Sequence, residues 1–112
     1  MKEGHDVNKR DAFGATPLMI AVVSGKMETV NFLLDQKADP QISAKDGYTL
    51  MHAAAFSGQK EMVKLVLSLG LEVNPRYGPN GITPVDVAED GKNSLPYLRS
   101  YGGRASWELP PQ

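Results

Sequence analysis

Gly14, Thr16, Ala21, Ser24, Gly25, Glu28, Val30 and Leu34 recur 33 positions on as Gly47, Thr49, Ala54, Ser57, Gly58, Glu61, Val63 and Leu67. Few features constrain a chain more. A fixed period of this length marks one supersecondary unit stacked on its own copy, because a single unit cannot bury its apolar face alone. The chain is therefore expected to form a one-dimensional array with an extended surface. Such an array favours binding over catalysis.

The unit reads most fully between Asp46 and Asn74. Asp46-Gly47 is a turn signal, since glycine tolerates positive φ and the aspartate side chain can bond the backbone ahead of it. Thr49 sits where a helix N-cap belongs, its oxygen facing the orphan amides of the first turn. In the other two copies the next residue is proline, Thr16-Pro17 and Thr83-Pro84, and proline at the first helical position sacrifices no hydrogen bond. A short first helix is expected over about Pro17 to Ser24 and Leu50 to Ser57. Its small Ala21, Ala53, Ala54 and Ala55 permit close approach, and Gly25 and Gly58 end it. The apolar spacing of Met27, Val30, Leu33 and Leu34, and of Met62, Val63, Val66 and Leu67, predicts a second helix. It runs over about Met27 to Gln36 and Lys60 to Leu69. Gly70 closes the second copy, whereas the first has Lys37 there, at a cost of up to about 1 kcal/mol if the site is left-handed.

Three stretches carry a family resemblance: Gly14-Ala15-Thr16-Pro17-Leu18, Gly47-Tyr48-Thr49-Leu50-Met51-His52-Ala53-Ala54 and Gly81-Ile82-Thr83-Pro84-Val85-Asp86-Val87-Ala88. They resemble the ankyrin repeat. The resemblance covers about residues 4 to 103 and implies an all-α solenoid of helix-turn-helix units with projecting β-hairpin turns. It divides residues 1–112, one domain, into a preceding repeat's end or an N-cap (1–10), repeats at 11–43 and 44–76, a shortened C-capping repeat (77–103) and a tail (104–112). Leu50 departs from the family's proline. Met19 and Asp86 replace the histidine that His52 retains, a residue that in this family generally bonds back toward the turn. The turn before Gly81 has one extra residue, and polar Glu89, Asp90, Lys92 and Asn93 suit a last unit with no neighbour. Leu98 to Arg104 resembles the closing segment of short ankyrin proteins, particularly bacterial ones.

Composition narrows the function classes. With 41% hydrophobic and 22% charged residues the sequence is that of a globular domain. A net charge of −1 offers no basic field for nucleic acid or anionic lipid. No run approaches the roughly 18 apolar residues of a membrane span. With neither a span nor a secretory signal, a cytoplasmic location is the expectation. Zero cysteines exclude disulfides and thiolate metal sites.

Catalytic motifs fail on inspection. Ser24-Gly25-Lys26-Met27 looks like the end of a phosphate loop, but Ile20 replaces its first glycine and Met27 lacks the hydroxyl for magnesium. The two histidines, His5 and His52, make an imidazole metal site unexpected. No paired carboxylates or activated serine are visible. No enzyme activity and no cofactor are expected.

The resemblance implies instead that the turns and first helices line a concave surface that grips another protein. The matching positions are Phe13, Ala15, Val23 and Ser24 around the first turn, and Lys45, Asp46, Tyr48, Phe56 and Ser57 around the second. The third turn contributes Arg76, Tyr77, Asn80, Ile82 and Asp90. Phe13, Tyr48, Phe56 and Ile82 are large apolar groups at positions the repeat leaves exposed, and tyrosine is enriched in binding hot spots. Lys45, Asp46 and Arg76 form a charged rim.

Two places stay open. The first unit carries Ile20, Val22, Val23, Met27 and Phe32, more apolar surface than a finished end needs. Residues 1–10 cover it, or the native protein extends upstream, or it pairs with another chain. The last option makes the chain a self-association module, or a fragment of a larger ankyrin protein, rather than an adaptor. At the other end, Trp107 and Leu109 fold back over the last helix, lie disordered, or dock on another molecule.

Overall fold

The computed structural model describes residues 7–88 and 94–110. Among them lie six α-helices: α1 (Pro17–Val23), α2 (Met27–Asp35), α3 (Leu50–Ser57), α4 (Lys60–Ser68), α5 (Pro84–Ala88) and α6 (Ser94–Ser100). Each odd-numbered helix pairs with the next, while α1, α3 and α5 pack on one another in chain order and α6 packs on α4. The array measures 46 × 27 × 22 Å. The expected all-α stack of helix pairs is what forms.

The core follows from this order. Helix α3 has neighbours on both sides and at its back, so Leu50, Met51, His52, Ala53, Ala54 and Ala55 are all buried. The small Ala53, Ala54 and Ala55 leave room for the neighbouring helices to pack close. In α4, Met62, Val63 and Val66 are buried while Glu61 and Lys64 face water, the amphipathic stripe that the spacing predicts.

The projecting turns are tighter than regular hairpins, and no strand forms among the described residues. The first closes with the Asp11 amide donating to the Ala15 carbonyl at 2.9 Å, the second with the Ala44 amide donating to the Tyr48 carbonyl at 2.7 Å. The third closes one residue wider, Tyr77 and Ile82 exchanging both amide bonds at 2.9 and 2.8 Å. That width absorbs the extra residue before Gly81. Main-chain bonds also tie turn to turn: the Lys45 amide donates to the Phe13 carbonyl at 3.1 Å, and the Gly78 amide to that of Asp46 at 2.8 Å. The fingers thus form one rigid edge.

Threonine caps the inner helices as expected. Thr16 Oγ1 accepts from the Met19 amide, and Thr49 Oγ1 from the His52 amide. In α3 the box is reciprocal, since the Thr49 amide donates to His52 Nδ1 at 3.2 Å. That assigns the ring proton to Nε2, which donates to the Ile82 carbonyl of the next unit at 2.7 Å. The same box recurs at Thr83, whose amide donates to Asp86 Oδ2 at 2.9 Å. Beyond Asp86, however, stands the Ser106 amide, which donates to both carboxylate oxygens at 3.0 and 3.1 Å. The neighbour offers a carbonyl in one case and an N–H in the other. A donor is needed at position 52 and an acceptor at position 86, which is a physical reason for the departure from histidine.

The tail covers the last pair. Ala105 is buried, Thr83 Oγ1 donates to the Arg104 carbonyl at 2.6 Å, and Asn74 accepts the Arg104 amide at 2.7 Å. Glu108 accepts from the Ala105 amide and pairs with Arg99. Those two donors, the amide first, hold its carboxyl below the usual range. The expected fold-back of Trp107 over the last helix does not occur; Ala105 makes the tail's buried contact, and Leu109 is half-buried. Trp107 points outward and is 71% exposed, so its emission does not report docking.

Lys37 adopts φ +68°, the left-handed conformation that Gly70 takes at φ +83°. Its Cβ is strained there. Lys37→Gly is therefore expected to raise stability by about 1 kcal/mol, or roughly 4 °C in Tm. Thermal unfolding followed by circular dichroism checks this, and an unchanged or lower Tm would show that the strain is relieved elsewhere.

Candidate functional site

Between the fingers and α1 runs a groove of about 360 Å³ lined by Phe13, Ala15, Met19, Ile20, Val23, Ser24, Ala44, Lys45, Tyr48 and Tyr77. Three local choices build it. The Asp11 carboxylate accepts the Phe13 and Ala15 amides at 2.8 and 2.9 Å, which fixes the first finger. The Arg10 guanidinium bonds the Gly14 carbonyl and the Ser43 carbonyl, joining first finger to second. Helix α1 then presents Ile20 and Val23 toward the same side.

Seven expected positions meet here: Phe13, Ala15, Val23, Ser24, Lys45, Tyr48 and Tyr77. Phe13 is 74% exposed and forms an outer lip. Tyr48 is not a free surface residue, as the repeat position suggested. It is half-buried, its ring stacked on His52 at 5.4 Å and meeting Tyr77 edge-on at 5.0 Å. Ile82 is likewise half-buried, because its backbone closes the third finger and receives His52. Phe56 is exposed, at 55%, but lies outside the groove lining, as do Asp46 and Asn80 on the exposed finger tips. Arg76 does not serve the rim; it donates to the Pro110 carbonyl at 2.6 Å and holds the tail. Asp90 lies outside the described residues.

The aromatic floor rests on His52, which also meets Tyr77 edge-on at 5.0 Å. Burial pushes the His52 pKa below its ordinary value, opposed by the bond to the Ile82 carbonyl and by Asp86. The same burial, with Tyr77 nearby, raises the Tyr48 phenol to about 12. Both rings are therefore neutral near pH 7, and the floor carries no charge. Among the described residues no group of three or more His, Cys, Asp or Glu is arranged to hold a metal, and no helix is long and apolar enough to cross a membrane.

Sequence reasoning missed Met19, Ile20 and Ala44 as lining residues. The signal for Ile20 was the period itself. Its counterpart in the next copy is Ala53, which is fully buried against α1, whereas Ile20 is 50% exposed. A large apolar group thus stands exposed where the next copy carries only a buried methyl.

Residues 1–77 match the family model of ankyrin repeats, in three copies. The chain belongs to the ankyrin-repeat family. It is 36% identical over 105 residues to alpha-latrocrustotoxin-Lt1a of Latrodectus tredecimguttatus, which covers 93% of this chain and 7% of the toxin. It is also 36% identical over 87 residues to ankyrin repeat and SAM domain-containing protein 6 of Rattus norvegicus, 77% of this chain and 10% of that protein. Protein PhlB of Serratia liquefaciens is 36% identical over 73 residues, 65% of this chain and 32% of PhlB. This ankyrin chain thus spans a third or less of each of these relatives. Ankyrin repeats are in general protein–protein interaction modules, and the family is typically non-catalytic.

Proposed function

We propose that this ankyrin domain binds another protein through the groove between its fingers and α1, without catalysis of its own. The observation that carries the reading is a continuous apolar lining drawn from all three fingers and α1 on a backbone already cross-tied by hydrogen bonds. A preorganised surface loses little conformational freedom on binding, so more of the contact energy appears as affinity. Phe13, Tyr48 and Tyr77 supply the large, low-entropy contact area typical of hot spots. A cytoplasmic location is included in this reading, although the lack of cysteines leaves the compartment undecided. The reading also keeps the repeat boundaries at 11–43, 44–76 and 77–103.

A photo-crosslinking residue at Phe13, introduced in the native host, tests it. One defined protein adduct is expected, and it should disappear when Ile20→Glu is added. Adducts to the chain itself would favour self-association, and no Ile20-dependent adduct would sink both. Self-association is the second reading because Phe32 of α2 is exposed at 56% outside the groove lining, and Ile20 of α1 at 50%.

A further inference from the structure

We infer that the groove's partner is an acidic, apolar protein segment, one or two large hydrophobic side chains flanked by a carboxylate. This rests on the groove-binding reading and adds the chemistry of the occupant. Among the described lining residues Lys45 alone is charged, and no carboxylate lines the groove. The Lys45 ammonium has no ion-pair or hydrogen-bond partner among the described residues, and its side chain is exposed. The other polar groups of the lining are the hydroxyls of Ser24, Tyr48 and Tyr77, none bonded to a described residue. Phenols at neutral pH are donors, so the groove offers an ammonium and two phenolic donors against an apolar wall.

The acids on the first two fingers stand outside the lining. The Asp11 carboxylate accepts the Phe13 and Ala15 amides of its own turn through one oxygen. Asp46 sits on the second finger tip, outside the lining. An occupant lacking an acceptor would leave Lys45 beside a dehydrated apolar surface with nothing to replace its water. One carrying a basic group would meet repulsion from the Lys45 ammonium. An acid beside hydrophobic residues satisfies both the wall and the donors. The size is also informative: about 360 Å³ lies at the lower end of the range for binding clefts. It suits anchoring side chains from a segment rather than a whole helix face.

The test is a selection of phage-displayed random peptides on the full chain, followed by fluorescence anisotropy of the enriched peptides. Wild-type protein should enrich Leu, Ile, Phe or Trp next to Asp or Glu. Lys45→Glu should weaken those peptides about tenfold, replacing attraction with repulsion, and should itself enrich Lys or Arg in a fresh selection. Both Lys45 and Ile20 are exposed, so Lys45→Glu and Ile20→Glu should fold normally, which circular dichroism verifies. Apolar peptides that Ile20→Glu abolishes and Lys45→Glu leaves untouched would overturn the acidic partner while leaving groove binding intact. Peptides indifferent to Ile20→Glu would overturn the groove reading as well.

Discussion

His52→Leu is expected to lower the unfolding free energy by about 3 kcal/mol, enough to depress Tm by more than about 10 °C. Leucine fills a similar volume but satisfies neither polar neighbour. The Thr49 amide loses Nδ1 as acceptor, and the Ile82 carbonyl loses the Nε2 proton it receives at 2.7 Å. Both lie where α3 meets the third finger, and an unsatisfied buried group costs about 1–3 kcal/mol. Stacked units share stability through their interfaces, so the loss should spread beyond one helix.

The acid limb gives a second readout of the same residue. Burial lowers the folded-state pKa of His52 from its ordinary 6.5, while the unfolded chain takes up its proton near 6.5. Below that value the unfolded state binds more protons at this site, so it gains on the native state as pH falls. The contribution is therefore complete above about pH 6.5 and is lost on acidification toward the lowered folded pKa. Urea midpoints between about pH 7.5 and 5 should fall for the wild-type chain and stay flatter for His52→Leu. Parallel curves would mean that His52 is as easily protonated folded as unfolded, and that its ring does not depend on the neutral tautomer.

How much of this was legible follows from what the period can encode. Helix limits, threonine caps and the strained Lys37 depend on local chemistry, so the spacing placed them within a residue or so. The role of Asp86 did not follow, because its acceptor character answers an amide 20 residues on, at Ser106, whose approach depends on the whole last pair. Arg76 misled for a similar reason: a cation before a finger reads as rim until Pro110 is seen to fold onto it. At the proposed site, position alone anticipated the groove-lining finger residues Phe13, Lys45 and Tyr48. It did not find Ile20, whose importance lies in differing from Ala53. Departures from the repeat shaped the groove more than agreement with it did.

The largest strictly steric effect is expected at the other end of the array, from Gly103→Ala. A Cβ there would lie 2.7 Å from the Leu98 carbonyl oxygen, 3.0 Å from its carbon and 2.8 Å from Val85 Cγ2. Two of those atoms are backbone, and both Leu98 and Val85 are fully buried, so nothing nearby yields cheaply. Overpacking of this kind costs about 1–3 kcal/mol, and the upper end applies where backbone must shift. Gly102→Ala is the control. It has φ +89° but nothing within 4 Å of a Cβ, so it should cost only the conformational strain, about 1 kcal/mol. The two variants also differ in where the damage falls. Gly103 donates to the Leu98 carbonyl at 2.8 Å, directly before the Arg104–Ala105 contacts that bring the tail onto Thr83 and Asn74. Its displacement should loosen that cover and free the hydrogen-bonded Arg104 backbone for trypsin cleavage well before global unfolding. Equal urea midpoints for the two variants would show that the chain reroutes around Gly103. A Gly103→Ala protein whose Arg104 stays as resistant as wild type would show that the tail is anchored without it.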